Sequence, residues 1–181
     1  EARNIRLFPE HPITEILWAN VKTFNLSPNR QLLAVETTNK LNFLDVSGEP
    51  IAPGVALSSS PKSMLWSPDS TSLLLQNRTG SYSLIAVGSA PAILPHAGLR
   101  GATEVVWDPR VPGRLLALFP NGKLGAYNIS TKKLTTLISD ISSFATSSRN
   151  IYAVDTQNRL HQYDLQGQLI STLPIEINAE D

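Results

Sequence analysis

The chain has 181 residues, 41% of them hydrophobic and only 17% charged, with 15 basic and 15 acidic side chains for a formal net charge of zero. That length suits one domain with a sizeable core, and the balanced charge shows neither the surplus nor the stripe of basic residues expected of a nucleic-acid binder. The lack of cysteine excludes disulfides and thiolate chemistry, and no apolar run approaches the roughly 18 residues of a membrane-spanning helix.

Neither feature fixes a compartment, because cysteine-free domains occur in reducing and oxidising settings alike. The first residue is Glu1 rather than methionine, so the chain is expected to be trimmed, to be a processed product or to be part of something longer.

In chain order, TEILWAN near residues 14–20 reads as an outer strand ahead of a first inner strand that starts near Lys22. KTFNL then meets the corner Ser27-Pro28-Asn29, followed by the apolar run Leu32-Leu33-Ala34-Val35, the polar turn Thr38-Asn39-Lys40 and the strand LNFLDV. A turn at Gly48 leads on to a fourth strand. The same order returns with SMLW, the corner Ser67-Pro68-Asp69, Leu73-Leu74-Leu75, the turn Asn77 to Gly80, and YSLIAV.

It returns again with EVVW, Asp108-Pro109, Leu115 to Phe119, the turn Asn121-Gly122, LGAYNI and KLTTLIS. A last copy lacks the proline but keeps the order: SSFAT, Ile151 to Val154, the turn Gln157-Asn158-Arg159, LHQYDL, Gly167 and QLISTLP. Pro28, Pro68 and Pro109 stand about 40 residues apart, and a fixed period of that size marks a repeat architecture.

Each corner suits a type I turn, with Ser or Asp first and Pro presetting φ at the second position. Asn121-Gly122 is a tight-hairpin pair, since both residues accept positive φ. Four short antiparallel strands per period make one blade of a β-propeller, with blades expected at about 21–60, 61–101, 102–140 and 141–174. The second strands argue against a two-layer sandwich, whose strands alternate because one face meets water. Their unbroken apolar runs need cover on both faces. No apolar stretch is long enough for a helix, and no segment supplies the helical crossover of a parallel sheet.

Trp66-Ser67-Pro68-Asp69 followed by an apolar strand resembles the blades of degenerate WD-repeat and TolB-like propellers, and Trp107-Asp108-Pro109 and Leu26-Ser27-Pro28-Asn29 are looser versions. Where WD repeats carry Trp-Asp, this chain has Leu44-Asp45, Tyr127-Asn128 and Tyr163-Asp164. The resemblance spans residues 21–174. No blade has the Gly-His pair of WD repeats, so their buried hydrogen-bond tetrad is not carried over. A nearer likeness is to bacterial envelope propellers, including those that follow a PEGA domain. It implies an extracytoplasmic or cell-envelope protein-binding scaffold.

The chain starts and ends on outer strands, which leaves blade faces to be covered. A fragment of a larger propeller, a pair of half-rings as a homodimer, and a closed four-bladed ring each meet that need. The fragment, completed by further blades, is the expected case.

Catalytic patterns are missing. There is no G-x-S-x-G elbow, and serines such as Ser58-Ser59-Ser60 sit in turn clusters. His11, His96 and His161 are isolated from one another, unlike zinc ligands. His96 reads as a surface imidazole, and His161 as a rim or cleft residue with nothing adjacent to tune it.

No loop has the alternating acidic spacing of a calcium site, and Asp69 is expected to cap its own turn. Gly80, Gly113, Gly122 and Gly125 belong to hairpins rather than to a phosphate loop. Lys132-Lys133 is a solvated turn. Of Trp18, Trp66 and Trp107, the last two hold matching repeat positions and are expected to pack between blades. The three N-glycosylation sequons, at Asn25, Asn77 and Asn128, carry little weight. The expectation is a non-enzymatic scaffold without cofactor, metal or nucleic acid, and with no direct membrane contact within this segment, which binds a protein or another ligand through its loop rim. The alternative is an accessory propeller that positions substrate for a hydrolase domain outside the chain. The repeat residues Pro28, Trp66, Pro68, Asp69, Trp107 and Pro109 are expected to be structural.

Overall fold

The computed structural model describes residues 3–5, 16–18 and 20–176. Among these the regular elements are β-strands, apart from one 3-10 turn at Ala97–Leu99. The chain divides into two compact units, Glu1–Pro95 and His96–Asp181.

The first unit opens with a hairpin of β1 (Arg3–Ile5) and β2 (Ile16–Trp18), antiparallel with Arg3 opposite Trp18. The strand expected in TEILWAN is therefore present, but it pairs with Arg3–Ile5 in a separate two-stranded sheet. Next comes a four-stranded antiparallel sheet of β3 (Thr23–Leu26), β4 (Leu32–Thr37), β5 (Lys40–Asp45) and β6 (Pro50–Ala56), in sequential order. A second sheet has β7 (Ser63–Trp66), β8 (Ser72–Gln76), β9 (Tyr82–Ala86) and β10 (Ile93–Pro95).

The second unit repeats the plan. One sheet holds β11 (Glu104–Trp107), β12 (Arg114–Leu118), β13 (Leu124–Asn128) and β14 (Lys133–Ile138). The other holds β15 (Ile141–Thr146), β16 (Ile151–Asp155), β17 (Arg159–Tyr163) and β18 (Leu169–Glu176). Four meanders of four antiparallel strands make this an all-β fold of propeller blades.

The second strand of each sheet explains the apolar runs. Leu33, Ala34 and Val35 in β4 are wholly buried, as are Leu115, Leu116 and Ala117 in β12. Successive side chains on a strand point to opposite faces, so both faces are covered. In the first unit, Ala34, Leu41 and Phe43 of one sheet pack against Trp66, Leu73, Leu75 and Ile85 of the next. Phe43 meets Trp66 edge-on, with ring centroids 6.1 Å apart. In the second unit, Leu116, Leu118 and Leu124 join Ile141, Phe144 and Ile151 in a core shared by its two sheets.

The Ser-Pro corners show why that tripeptide recurs. Ser27 O accepts from Arg30 N and Ser67 O accepts from Ser70 N, both at 2.9 Å. Each chain then turns through a left-handed residue, Arg30 at φ 60 and Ser70 at φ 61. The Ser27 hydroxyl donates to Asn29 Oδ1 at 2.7 Å and accepts from Leu32 N at 2.9 Å. Ser67 repeats the pattern, donating to Asp69 Oδ1 at 2.6 Å and accepting from Ser72 N at 2.9 Å. Asp69 also accepts from Thr71 N at 3.1 Å, so it caps its own turn. Where the last repeat lacks proline, the Ser147 hydroxyl accepts from Asn150 N at 3.0 Å.

The two first-unit blades are also stitched through their first strands. Asn25 Nδ2 donates to Met64 O at 3.0 Å, and Trp66 Nε1 returns a bond to Asn25 O at 3.1 Å. Asn25 is thereby committed as a structural side chain despite standing in a sequon. The Asp and Asn residues found where WD repeats carry Trp-Asp cap the next turns. Asp45 accepts from Ser47 N at 2.8 Å, Asn128 from Thr131 N at 2.9 Å and Asp164 from Gln168 N at 2.8 Å.

Gly167 is required by its turn and by its neighbour. Its φ is +83, and a Cβ there would stand 2.7 Å from the Leu137 carbonyl oxygen. Gly167→Ala is expected to cost at least about 1–2 kcal/mol, the penalty of a left-handed backbone alone. A fall in the urea midpoint with an unchanged m-value would register it.

Candidate functional site

In an antiparallel meander the turns alternate between two ends. The Ser-Pro corners lie at one end of the blades. At the other end lie the turns between second and third strands and the links from one blade to the next. Both clefts described here form at that second end.

The larger one, in the second unit, is open and has a volume of about 590 Å³; it is lined by Thr103, Leu118, Phe119, Pro120, Asn121, Gly122, Asp140, Ile141, Ser142 and Thr156. Its floor is backbone held from two sides. Ile141 N donates to Gly122 O at 3.1 Å, and Thr156 N donates to Asp140 O at 3.0 Å. The blade-to-blade link is thus gripped by the β12–β13 turn of one sheet and the β16–β17 turn of the next. Gly122 suits this contact: its φ is +72, and a Cβ would stand 3.2 Å from Ile141 O.

Two of the three lining hydroxyls are engaged by the backbone. Thr103 Oγ1 donates to Leu118 O at 3.1 Å and Ser142 Oγ to Val154 O at 3.2 Å. No imidazole is among the lining residues, and no hydrogen bond joins a lining hydroxyl to the Asp140 carboxylate. A smaller cleft of about 90 Å³ occupies the same repeat position in the first unit, lined by Leu57, Ser58, Ser59, Pro61, Leu75, Asn77, Ser83 and Ile93. Its lining carries no charge.

The repeat residues lie at the opposite end. Pro28, Pro68, Asp69 and Pro109 are exposed at their corners, while Trp66 and Trp107 are buried at the ends of β7 and β11. Lys132 and Lys133 are exposed. His11 and the Trp18 side chain lie outside the described residues.

Two expectations for histidine are corrected. His161 is buried, and it has partners on both ring nitrogens. Its Nε2 stands 2.9 Å from Asp155 Oδ2 and its Nδ1 stands 2.9 Å from Thr172 Oγ1. Strand register is the cause: β17 places His161 opposite Thr172 of β18, and Asp155 ends the neighbouring β16. A neutral imidazole protonated on Nε2 satisfies both contacts, donating to the carboxylate and accepting from the hydroxyl.

The Asp155 carboxyl is held far below the usual carboxylate range, by the His161 bond first and by the Arg159 and Gln157 backbone N–H groups. Arg159 also pairs with Asp155, at 2.8 Å. Hydroxyl, imidazole and carboxylate thus form a chain, yet none of the three lines either cleft. The Asp155 charge is already matched by Arg159, and its other oxygen caps the turn through Gln157 N and Arg159 N. The group locks the last two strands of the blade to its turn.

His96 is not a surface imidazole: it is 3% exposed, and its Nδ1 lies 3.0 Å from the Tyr127 hydroxyl. The 3-10 turn that follows folds back over β13, and Gly98 makes this possible, since a Cβ there would stand 2.6 Å from the Tyr127 ring. Burial, helped by the Lys132 charge, pushes the imidazole below its ordinary 6.5. Between the lowered value and 6.5 the unfolded chain therefore binds more protons than the folded one, and stability rises with pH through that window. Acidification below about 6.5 is expected to lower the urea midpoint, and His96→Gln should flatten that part of the profile.

The buried pair Asp108–Arg114 takes the place of the serine in the third corner. Asp108 accepts from Arg110 N at 3.0 Å and from Arg114 Nε at 2.6 Å. Arg114 also donates to Leu165 O of the following sheet at 3.2 Å.

No family model matches the chain, and no curated protein matches it significantly. Solved structures do match. One is the crystal structure of the N-terminal domain of Nup159, a β-propeller, with a TM-score of 0.60 over 86% of this chain at 10% identity. At that identity the likeness is one of fold, and the chain spans 44% of the length of that structure. The class is thus a β-propeller fold built of four antiparallel four-stranded blades.

Proposed function

We propose that the chain is a non-catalytic interaction scaffold that binds another protein at the cleft end of its blades. The observation that carries this reading is the larger cleft: an open, partly apolar surface on backbone gripped by two turns, with the Thr103 and Ser142 hydroxyls of its lining bonded to carbonyls. Rigid blades presenting loops are a common way to build a binding rim. The resemblance of Trp66 to Asp69 to WD-repeat and TolB-like blades also favours a protein partner.

A photo-crosslinking amino acid placed at Asn121 in the cleft, and separately at Asp69 at the opposite end, tests the reading in cells. A discrete protein adduct is expected from position 121 and not from position 69. Adducts at neither position, or only at 69, would contradict it. So would hydrolysis of an ester, phosphate or glycoside by the purified chain that one side-chain substitution abolishes.

A further inference from the structure

We propose that the larger cleft receives an extended peptide segment through a basic side chain, whose cation meets the Asp140 carboxylate while its aliphatic stem lies against Phe119 and Pro120. This assignment rests on the scaffold reading above and names the chemistry of the segment bound.

Asp140 differs from most of the other aspartates on the blades. Asp45, Asp69, Asp155 and Asp164 each accept hydrogen bonds from turn N–H groups, and Asp108 does so while pairing with Arg114. Among the described residues no hydrogen bond or ion pair engages the Asp140 carboxylate. Its backbone is nonetheless fixed: it sits at φ 63, a left-handed conformation that Asp adopts more readily than most residues. Thr156 N holds its carbonyl oxygen at 3.0 Å, and the next residue is tied to Gly122 O at 3.1 Å. A carboxylate unused by the fold is therefore carried on one of the more firmly held segments of the cleft.

Charge selects the occupant. Asp140 is the one ionisable side chain among the lining residues, and the apolar lining comes from Leu118, Phe119, Pro120 and Ile141. Such a surface repels anions. It suits a Lys or Arg side chain, which buries its methylenes on apolar groups and keeps its head on a carboxylate. The cleft volume of about 590 Å³ lies in the range of ligand sites and leaves room for residues flanking the cation. Lys123 follows Gly122 and Glu104 follows Thr103 in the chain, one charge of each sign, and neither is among the lining residues. The smaller first-unit cleft, with neutral Ser and Asn in its lining, lacks such a carboxylate.

The test titrates the isotope-labelled full chain with the capped tripeptide acetyl-Leu-Arg-Leu-amide, followed by amide resonances in solution. A matched peptide with citrulline removes the charge and keeps the shape. The arginine peptide is expected to shift the Gly122, Ile141 and Thr156 amides. Asp140→Asn, which suits the left-handed site, should weaken that binding about fivefold, as should citrulline, the upper end for an exposed ion pair.

The citrulline arm needs no variant, so the outcome does not depend on how well Asp140→Asn folds. No shift of these amides with the arginine peptide would overturn the proposal, as would equal binding of both peptides. Equal binding would leave the scaffold reading standing, whereas missing adducts at position 121 would remove that reading.

Discussion

Replacing Trp66 with alanine is expected to destabilise the chain by about 3–5 kcal/mol, the usual loss when a large aromatic is removed from a core. The side chain is 5% exposed, packs edge-on against Phe43 of the neighbouring sheet and bonds Asn25 O through its indole N–H. Truncation opens a cavity between two blades and leaves that carbonyl without its indole donor. Asn25 would also hold Met64 O with a less constrained partner strand. Against a typical total of about 5–15 kcal/mol, the loss is a large share of stability. Urea unfolding measures it directly. A change under about 1 kcal/mol would mean that this indole does not join the two sheets.

A second large loss is expected from Asp108→Ala, about 3–5 kcal/mol, because it leaves a largely buried guanidinium without its carboxylate. The Asp108 side chain is fully enclosed and that of Arg114 is 18% exposed. The substitution also strips acceptors from Arg110 N and Val111 N, so the corner loses its cap as well as its ion pair. Replacing both residues by leucine should recover part of the loss, since two apolar groups leave no unpaired charge. Single and double variants together give the coupling. Additive losses would show that the pair does not act as a unit.

Much of the fold was legible because the information is local. A serine that closes its corner by bonding both the side chain two residues on and an amide five residues on must recur wherever that corner recurs. Ser27 and Ser67 do so with nearly identical geometry. The apolar second strands were readable for a related reason: Leu33, Ala34 and Val35 need no partner to announce that both faces are covered.

What escaped the sequence depends on residues that only strand pairing brings together. His161 looked untuned because Thr172 stands eleven residues away, on a strand whose register sets the contact. His96 looked exposed because it follows a proline in a link. Its partner Tyr127 lies 31 residues on, and only a glycine at position 98 lets the turn close over that ring. The cleft was hidden for the same reason, since Gly122 and Ile141 meet through a sheet edge rather than through any motif. Its unpaired carboxylate could have been suspected only by noticing that Asp140 precedes a strand with no turn to cap.

The claim on which the rest depends is that each repeat folds as one antiparallel meander in the register described. Cross-strand backbone NOEs between the second and third strands measure this most directly. One set is predicted in every repeat, linking Leu33 to Leu44, Leu73 to Ile85, Leu115 to Tyr127 and Ala153 to His161. A repeat that lacks these cross-peaks, or shows the sequential amide pattern of a helix in their place, would contradict the account.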